Sequence, residues 1–374
     1  MSLYSRWLAL RDRLLASESF HRFAAAFPLT RPIAQKEARA LFDLVAGFVY
    51  SQVLFACVRL DLFRLLAPGP QSLATLAKRL KLTEDAALRL LAAAASLRLV
   101  ERRGDDEWGL GMLGGVLVGN TAVTALVEHH AALYADLRDP VGLLRGEVTP
   151  SLAAYWPYAD EGAENSPTKL SASHVAEYSA LMSASQPLVA HEILSAYNFS
   201  KHRQLLDVGG GEGTFLLAAA ERHPQLPMML FDLPAVAERA TAAFQREGVS
   251  GQAKAFGGSF FETPLPTGAD LATLIRVLYD HDDHRALAIL KAVRAALPPR
   301  GTLLVAEPMS GTSGAEPMGD AYFGFYLLAM GKGRARSADQ LMELIRQAGF
   351  TEVTLAKTRL PLQVRMIVAR CGAA

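Results

Sequence analysis

Leu205-Leu206-Asp207-Val208-Gly209-Gly210-Gly211-Glu212-Gly213-Thr214 is the stretch from which the fold can be read. A short apolar run, the length of a buried strand, ends in a glycine turn, and an amphipathic segment begins at Thr214. Glycine suits the turn because only it lets the backbone bend sharply and lie directly against a ligand. Nineteen residues after Gly213, Asp232 ends the next apolar run, in Phe231-Asp232-Leu233-Pro234. There a carboxylate can accept hydrogen bonds from both hydroxyls of a ribose, so the pair marks a nucleoside-bearing ligand. Two details separate the candidates. Thr214 stands where the dinucleotide fingerprint has its last glycine, and Asp207 sits just before the turn, where a carboxylate would face a pyrophosphate unfavourably. Near a sulfonium-bearing amino acid the same carboxylate is harmless or useful. No lysine follows the glycines, which excludes a Walker-type phosphate loop. The constellation predicts S-adenosylmethionine, with Asp207, Gly209, Gly211, Asp232 and Leu233 among its contacts.

Outward from this stretch, short apolar runs alternate with amphipathic segments. Strands are predicted at 205–208, 228–231, 253–256, 271–278, 303–306, 353–356 and 364–369, and helices at 214–222, 235–247, 284–296 and 338–348. That alternation implies a Rossmann-like α/β domain, a mostly parallel sheet with helices on both faces and its ligand at the carboxyl ends of the strands. Gly257-Gly258-Ser259-Phe260-Phe261 follows the third strand. Ser259 and Phe260 fit an adenine site, with the ring stacking on the base; an ordinary glycine turn with core aromatics fits equally.

Upstream the texture is helical. Leu3, Trp7, Leu10 and Leu14 recur at helical spacing, and residues 38–66 form a very apolar helix expected to be buried, commonly in a dimer. The first helix needs a partner surface, either protein or a membrane. Residues 72–110 read as helix, turn, helix, hairpin, with Thr83 as an N-cap, which is the order of a winged helix. DNA recognition is disfavoured, because Glu84 and Asp85 stand at the end of the second helix that would meet the bases. Further helices are expected at 126–137 and 175–197, with a loop over 149–168. The division expected is a helical dimerisation and substrate-enclosing part, residues 1–198, and a cofactor-binding catalytic part, residues 199–374.

The chain has 374 residues, 51% of them hydrophobic and 20% charged, with net charge +1, so neither disorder nor an electrostatic demand for nucleic acid is indicated. Its two cysteines, Cys57 and Cys371, lie far apart and outside any Cys/His cluster, which points to a reducing compartment, the cytoplasm. The first residues lack the pattern of a signal peptide, and no stretch approaches 18 charge-free apolar residues, so a soluble or peripheral protein is expected.

Asp207-Val208-Gly209-Gly210-Gly211, Phe231-Asp232-Leu233-Pro234, Gly257-Gly258-Ser259-Phe260-Phe261, Ala296-Leu297-Pro298-Pro299 and Gly301-Thr302-Leu303-Leu304-Val305-Ala306-Glu307-Pro308 resemble the motifs of the caffeate and acetylserotonin type O-methyltransferases. The resemblance covers nearly the whole chain, since that family also has an N-terminal winged-helix dimerisation region. Residues 40–52 and 319–326 more closely resemble its bacterial carotenoid branch. This likeness implies a metal-independent homodimer in the cytoplasm, peripheral to photosynthetic membranes, that methylates a tertiary hydroxyl of an acyclic carotenoid. The alternatives are a methyltransferase for another aromatic, tetrapyrrole or polyketide substrate, and a winged-helix ligand-binding regulator.

The family's catalytic histidine falls in a His-Asp-Trp run after the fourth strand. Here the run is Arg276-Val277-Leu278-Tyr279-Asp280-His281, so Tyr279 takes the histidine's place and His281 the tryptophan's. Glu307 matches the family's acidic partner, a second glutamate falls at Gly333, and Ser259 replaces an aspartate. The expected roles are His281 as base or proton relay, Tyr279 orienting the hydroxyl, Glu307 as acidic partner and Arg276 among the cofactor contacts. Asp280-His281-Asp282-Asp283-His284 could also bind a metal by ligand type, or form a loop in which Asp282 or Asp283 caps the next helix. The apolar segment 321–330 is read either as a wall of a lipophilic site or as plain packing.

Overall fold

The computed structural model describes residues 2–155, 186–331, 333–361 and 364–373. They divide into two compact units, Met1–Asn120 and Thr121–Ala374.

The first unit holds α1 (Leu3–Leu15), α2 (Glu18–Ala26), α3 (Arg31–Arg59), α4 (Leu62–Leu66), β1 (Gln71–Ser72), α5 (Leu73–Leu80), α6 (Glu84–Ser96), β2 (Val100–Arg102), β3 (Glu107–Leu110) and α7 (Met112–Val118). The winged helix is present: α5 and α6 are followed by the β2–β3 hairpin in a small sheet of order β1-β3-β2. Thr83 caps α6, its hydroxyl accepting from the Ala86 amide at 3.2 Å. The burial expected for residues 38–66 is not reached within one chain. Cys57 and Val58 are the buried residues of α3, whereas Leu41, Phe42, Leu44, Val45, Phe48 and Val49 are exposed.

In the second unit come α8 (Thr121–Asp136), α9 (Pro140–Arg145) and α10 (186–196), then the sheet and its helices. The rest of the helix expected at 175–197, and most of the loop expected at 149–168, lie outside the described residues. The sheet strands are β4 (Leu205–Val208), β5 (Met228–Asp232), β6 (Ala253–Gly257), β7 (Leu271–Ile275), β8 (Thr302–Glu307), β9 (Phe350–Ala356) and β10 (Arg365–Cys371). Between them run α11 (Thr214–Arg222), α12 (Pro234–Arg246), α13 (Asp283–Ala296), α14 (Phe323–Met330) and α15 (Ala338–Gln347). The order is β6-β5-β4-β7-β8-β10-β9, parallel from β6 to β8, with β10 antiparallel to both neighbours. Strand pleating sends alternate residues to opposite faces: Leu206 and Val208 pack with Ile289 of α13 and Leu341 of α15, Leu205 with Phe215 of α11 and Ile193 of α10. Both faces of β4 are therefore core, which is why its four residues are all buried.

Candidate active site

The chain steps outward from β4 to β5 and β6, then returns to β7 on the other side of β4, so the strand order switches there. A crevice at the carboxyl ends of β4 and β7 is where such sheets bind ligands. Gly209, Gly211 and Gly213 all take positive φ (73°, 59° and 85°). A side chain at Gly209 would meet Val277 Cγ2 at 2.7 Å and one at Gly213 would meet the Phe244 ring at 2.5 Å, whereas no atom of the described residues lies within 4 Å of that position at Gly211. Asp232 holds this turn from β5, its Oδ2 accepting from the Gly211 amide at 2.8 Å and its Oδ1 from the Leu233 amide at 2.7 Å. Burial, opposed by these two amides, pushes its carboxyl up to about 6. Asp207 is buried below the turn. Its Oδ1 accepts from Thr273 Oγ1 of β7 at 2.6 Å, while its Oδ2 has no hydrogen-bond partner among the described residues. Burial raises this carboxyl to about 7, with the Asp232 charge adding and Thr273 opposing.

Phe260 faces the same turn, its Cζ 3.4 Å from where a Gly209 side chain would begin, and packs against Phe231 with ring centres 6.0 Å apart. Ser259 folds the preceding turn, its amide donating to Thr263 Oγ1 at 3.2 Å and its hydroxyl accepting from the Phe261 amide at 3.3 Å.

β7 ends at Ile275, three residues before the apolar run does, because Arg276 turns left-handed at φ 58°. For a residue with a Cβ this is a strained conformation, of the kind that persists where the surroundings hold it. The turn that follows is held from two sides. Glu307, at the end of β8 and fully buried, accepts from the Tyr279 amide at 3.1 Å through Oε2. Arg336, 1% exposed, donates to the Leu278 carbonyl at 2.8 Å, to the His281 carbonyl at 2.7 Å and to Asp283 Oδ1 at 2.7 Å. Glu307 is pushed up to about 7 by burial, against the nearby Arg336 charge and the turn's amides. Asp282 caps α13, accepting from the Arg285 amide at 2.8 Å.

Tyr279 and His281 enter different surroundings. Tyr279 joins a cluster with Leu133, Leu143 and Leu152 and with Tyr326, Leu327 and Met330 of α14; its phenol bonds to Arg276 and is raised well above its usual range by burial. His281 lies edge-on to Phe260 (6.5 Å) and Phe261 (6.1 Å), and burial, then the charges of Arg285 and Arg336, push its imidazole down to about 4. Asp280 is buried beside Arg276 and raised well above the usual carboxylate range by that burial.

Residues 134–351 match the O-methyltransferase domain family and residues 42–126 the O-methyltransferase dimerisation domain. The chain is 42% identical over 344 residues to demethylspheroidene O-methyltransferase of Cereibacter sphaeroides, covering 92% of this chain and 89% of that protein. The enzyme of the same name from Rhodobacter capsulatus is 40% identical over 362 residues, covering 96% and 89%. The chain belongs to the O-methyltransferase family. Its fold also matches human N-acetylserotonin methyltransferase in complex with S-adenosylmethionine, with TM-score 0.75 and 26% identity over 90% of this chain and 98% of that one. It is therefore an S-adenosylmethionine-dependent O-methyltransferase.

The residues present fit that cofactor. Among the described residues, Asp207 Oδ2 is a buried acceptor without a donor, Gly211 is bare toward open space, and the Asp232 carboxylate stands beside it. These three would hold the methionyl and ribose parts, with Gly209, Leu233, Ser259 and Phe260 around them.

The structure thus gathers Asp207, Gly209, Gly211, Asp232 and Phe260 about the glycine turn, while Arg276 sides with Tyr279 and Asp280. Glu307 meets backbone amides. At Gly333 a side chain would meet the Tyr279 carbonyl at 2.7 Å, so the family's second glutamate does not fit this backbone. Asp282 caps a helix and Asp283 pairs with Arg336 and with Arg334 at 3.4 Å, which absorbs two members of the acidic run after Tyr279. Sequence reasoning missed Thr273 and Arg336. Arg336 belongs to no periodic run and no motif, and its three acceptors become visible only in three dimensions.

Proposed function

We propose that the acceptor is a large apolar aliphatic alcohol, the tertiary 1-hydroxyl of an acyclic carotenoid. Tyr279 carries this reading. A histidine base suits a phenol, whose acidity is close to its own, whereas an alkyl hydroxyl must lose its proton as attack proceeds and gains more from alignment and exclusion of water. Alignment alone can contribute up to ~7 to 11 kcal/mol. Tyr279 and Arg276 sit at the head of an aromatic and aliphatic cluster formed by Tyr322, Phe323, Tyr326 and Leu327. The names of the two bacterial relatives support the same substrate class.

Bound S-adenosylmethionine supplies a methyl group made electrophilic by its sulfonium. In this reading Asp232 and Asp207 fix the cofactor, Glu307 and Arg336 fix the turn that presents Tyr279, and the Tyr279 hydroxyl, bonded to Arg276, orients the incoming hydroxyl. His281, expected as base or proton relay, is held neutral between aromatic rings, and in this reading it closes the Phe260 side instead. Residues 1–198 are proposed to dimerise and to enclose the substrate; within them Leu133, Leu143 and Leu152 already pack on Tyr279's cluster. The enzyme is proposed to work as a metal-independent homodimer in the cytoplasm, at the surface of the membrane that holds its substrate.

The test is to incubate the purified chain with S-adenosylmethionine and a 1-hydroxylated acyclic carotenoid in detergent, and to read the product by mass spectrometry. A gain of one methylene is expected. Methylation of phenols alone, with none of the carotenoid, would reject the substrate class.

A further inference from the structure

We propose that His130 and Tyr322 form the proton-accepting couple of the methyl transfer, beside the position that Tyr279 occupies. This rests on the alkyl-hydroxyl reading above. α8 carries His129 and His130 in succession, and each meets a tyrosine hydroxyl nearly two hundred residues away: His129 Nε2 to Tyr326 Oη at 3.1 Å, His130 Nε2 to Tyr322 Oη at 2.8 Å. Tyr322 and Tyr326 lie one helical turn apart and stack at 5.8 Å. Phe323, between them in sequence, packs edge-on to Tyr322 at 5.1 Å and to Tyr279 at 6.1 Å, which places the couple at the Tyr279 side of the turn.

The two couples are chemically alike and differently placed. Tyr326 is 5% exposed and belongs to the packed cluster, while Tyr322 is half-buried and closes a π-helical turn, Pro317–Tyr322, a local widening frequent at functional sites. The first couple pins α14 to α8. The second lies on the less buried of the two tyrosines.

A neutral imidazole with its proton on Nδ1 accepts the Tyr322 proton at Nε2 and leaves the lone pairs of Oη to receive a hydrogen bond from outside the couple. Among the described residues, the groups facing His130 are His129 and Tyr134 on its own helix and Tyr322 opposite; Tyr279 and Arg276 act on Tyr322. Burial first and His129 second hold His130 down to about 4, and burial holds the Tyr322 phenol well above its usual range, so His130 rests neutral and takes the proton only in concert with attack on the methyl group. In the transfer, the oxygen-to-methyl bond forms as the methyl-to-sulfur bond breaks and its electron pair returns to sulfur. The acceptor's O–H proton passes to Tyr322 Oη, and the Tyr322 proton passes to His130 Nε2. One positive charge leaves the sulfonium and one appears on the imidazole, so atoms and charge balance.

The experiment is steady-state kinetics on the hydroxycarotenoid with His130→Gln, Tyr322→Phe and the double variant, alongside calorimetry with S-adenosylhomocysteine. Glutamine keeps a hydrogen-bonding group and cannot take a proton. The expected result is a loss of about a hundredfold or more in kcat for each single variant. KM values and S-adenosylhomocysteine affinity should stay within about threefold, and the double variant should be no slower than the slower single one, because the two side chains act as a unit. Should His130→Gln fold poorly, Tyr322→Phe, which removes only a half-buried hydroxyl, tests the couple by itself. The couple is overturned if kcat persists in both variants, if the two losses multiply, or if His281→Phe alone abolishes turnover with cofactor affinity intact. A parent chain that binds S-adenosylhomocysteine but methylates no hydroxycarotenoid overturns the substrate reading, and the couple assigned to it falls too.

Discussion

Asp207 and Asp232 stand on neighbouring parallel strands, both nearly out of water, and each depends on few donors. Asp232 has two backbone amides; Asp207 has one threonine hydroxyl and one oxygen left over. Replacing Asp232 with alanine removes the carboxylate from the proposed ribose position and also frees the Gly211 amide, so the turn loses its hold as well. S-adenosylhomocysteine binding, measured by calorimetry, should weaken by about a hundredfold or more, as expected when a charged acceptor with several donors is deleted. Wild-type affinity in that variant would remove Asp232 from the site. The raised carboxyls add a pH dependence with a definite sign. Between their ordinary range and about 7 the folded chain holds protons on Asp207 and Glu307 that the unfolded chain has released. Their contribution to stability is complete below about pH 4 and is lost as pH rises through about 7. The cofactor-free protein should thus lose a few degrees of Tm between about pH 5 and 8 on this account. A cationic cofactor favours the ionised carboxylates, so its affinity should climb over the same interval; calorimetry at both ends checks this, and a flat affinity would show that Asp207 does not meet the ligand's charge.

The strands and helices of the second unit were legible because each is short, continuous and apolar where the sheet is buried on both faces. The glycine turn was legible because positive φ leaves few residue choices. The helix starts at Thr83 and Asp282 were legible because a side-chain oxygen there answers a backbone amide locally. What stayed hidden is the element between β7 and α13. Its apolar sequence continues past Ile275, and only the backbone reversal at Arg276 shows that the strand has ended. Its stability comes from Arg336, far along the chain, whose forked guanidinium serves two carbonyls and Asp283 at once. Arg336→Met should therefore leave those carbonyls without donors and cost on the order of 3 to 5 kcal/mol, as expected when one partner of a buried charge is removed. Arg336→Lys should recover little, because an ammonium is a point charge and cannot reproduce the planar fork. Thermal melting checks the first, and kcat at saturating substrate checks whether the Tyr279 turn moves. Unchanged values for both would show that Glu307 alone holds the turn.

For the molecule as a whole, the sheet begins at Leu205, where the sequence texture changes, while the second compact unit begins at Thr121. The helices from α8 to α10 look in sequence like the first unit's helices, and only packing assigns them to the second. α3 is the converse case: its composition announces burial, yet Leu44 is 82% and Phe48 72% exposed in the single chain. By length and composition it could also cross a bilayer, with 11% of its most apolar window buried. The dimerisation-domain match begins at Phe42, within this exposed face, which favours a second copy as its cover. Burying such side chains is worth about 1.5 to 3 kcal/mol each, so two charges there should outweigh most of a dimer's affinity. Leu44→Asp with Phe48→Glu is expected to give a monomer in light scattering, with no loss of the folded sheet signal in circular dichroism. A parent chain that is monomeric in solution but floats with lipid vesicles, and that ceases to float when the two charges are introduced, would assign the face to a membrane instead.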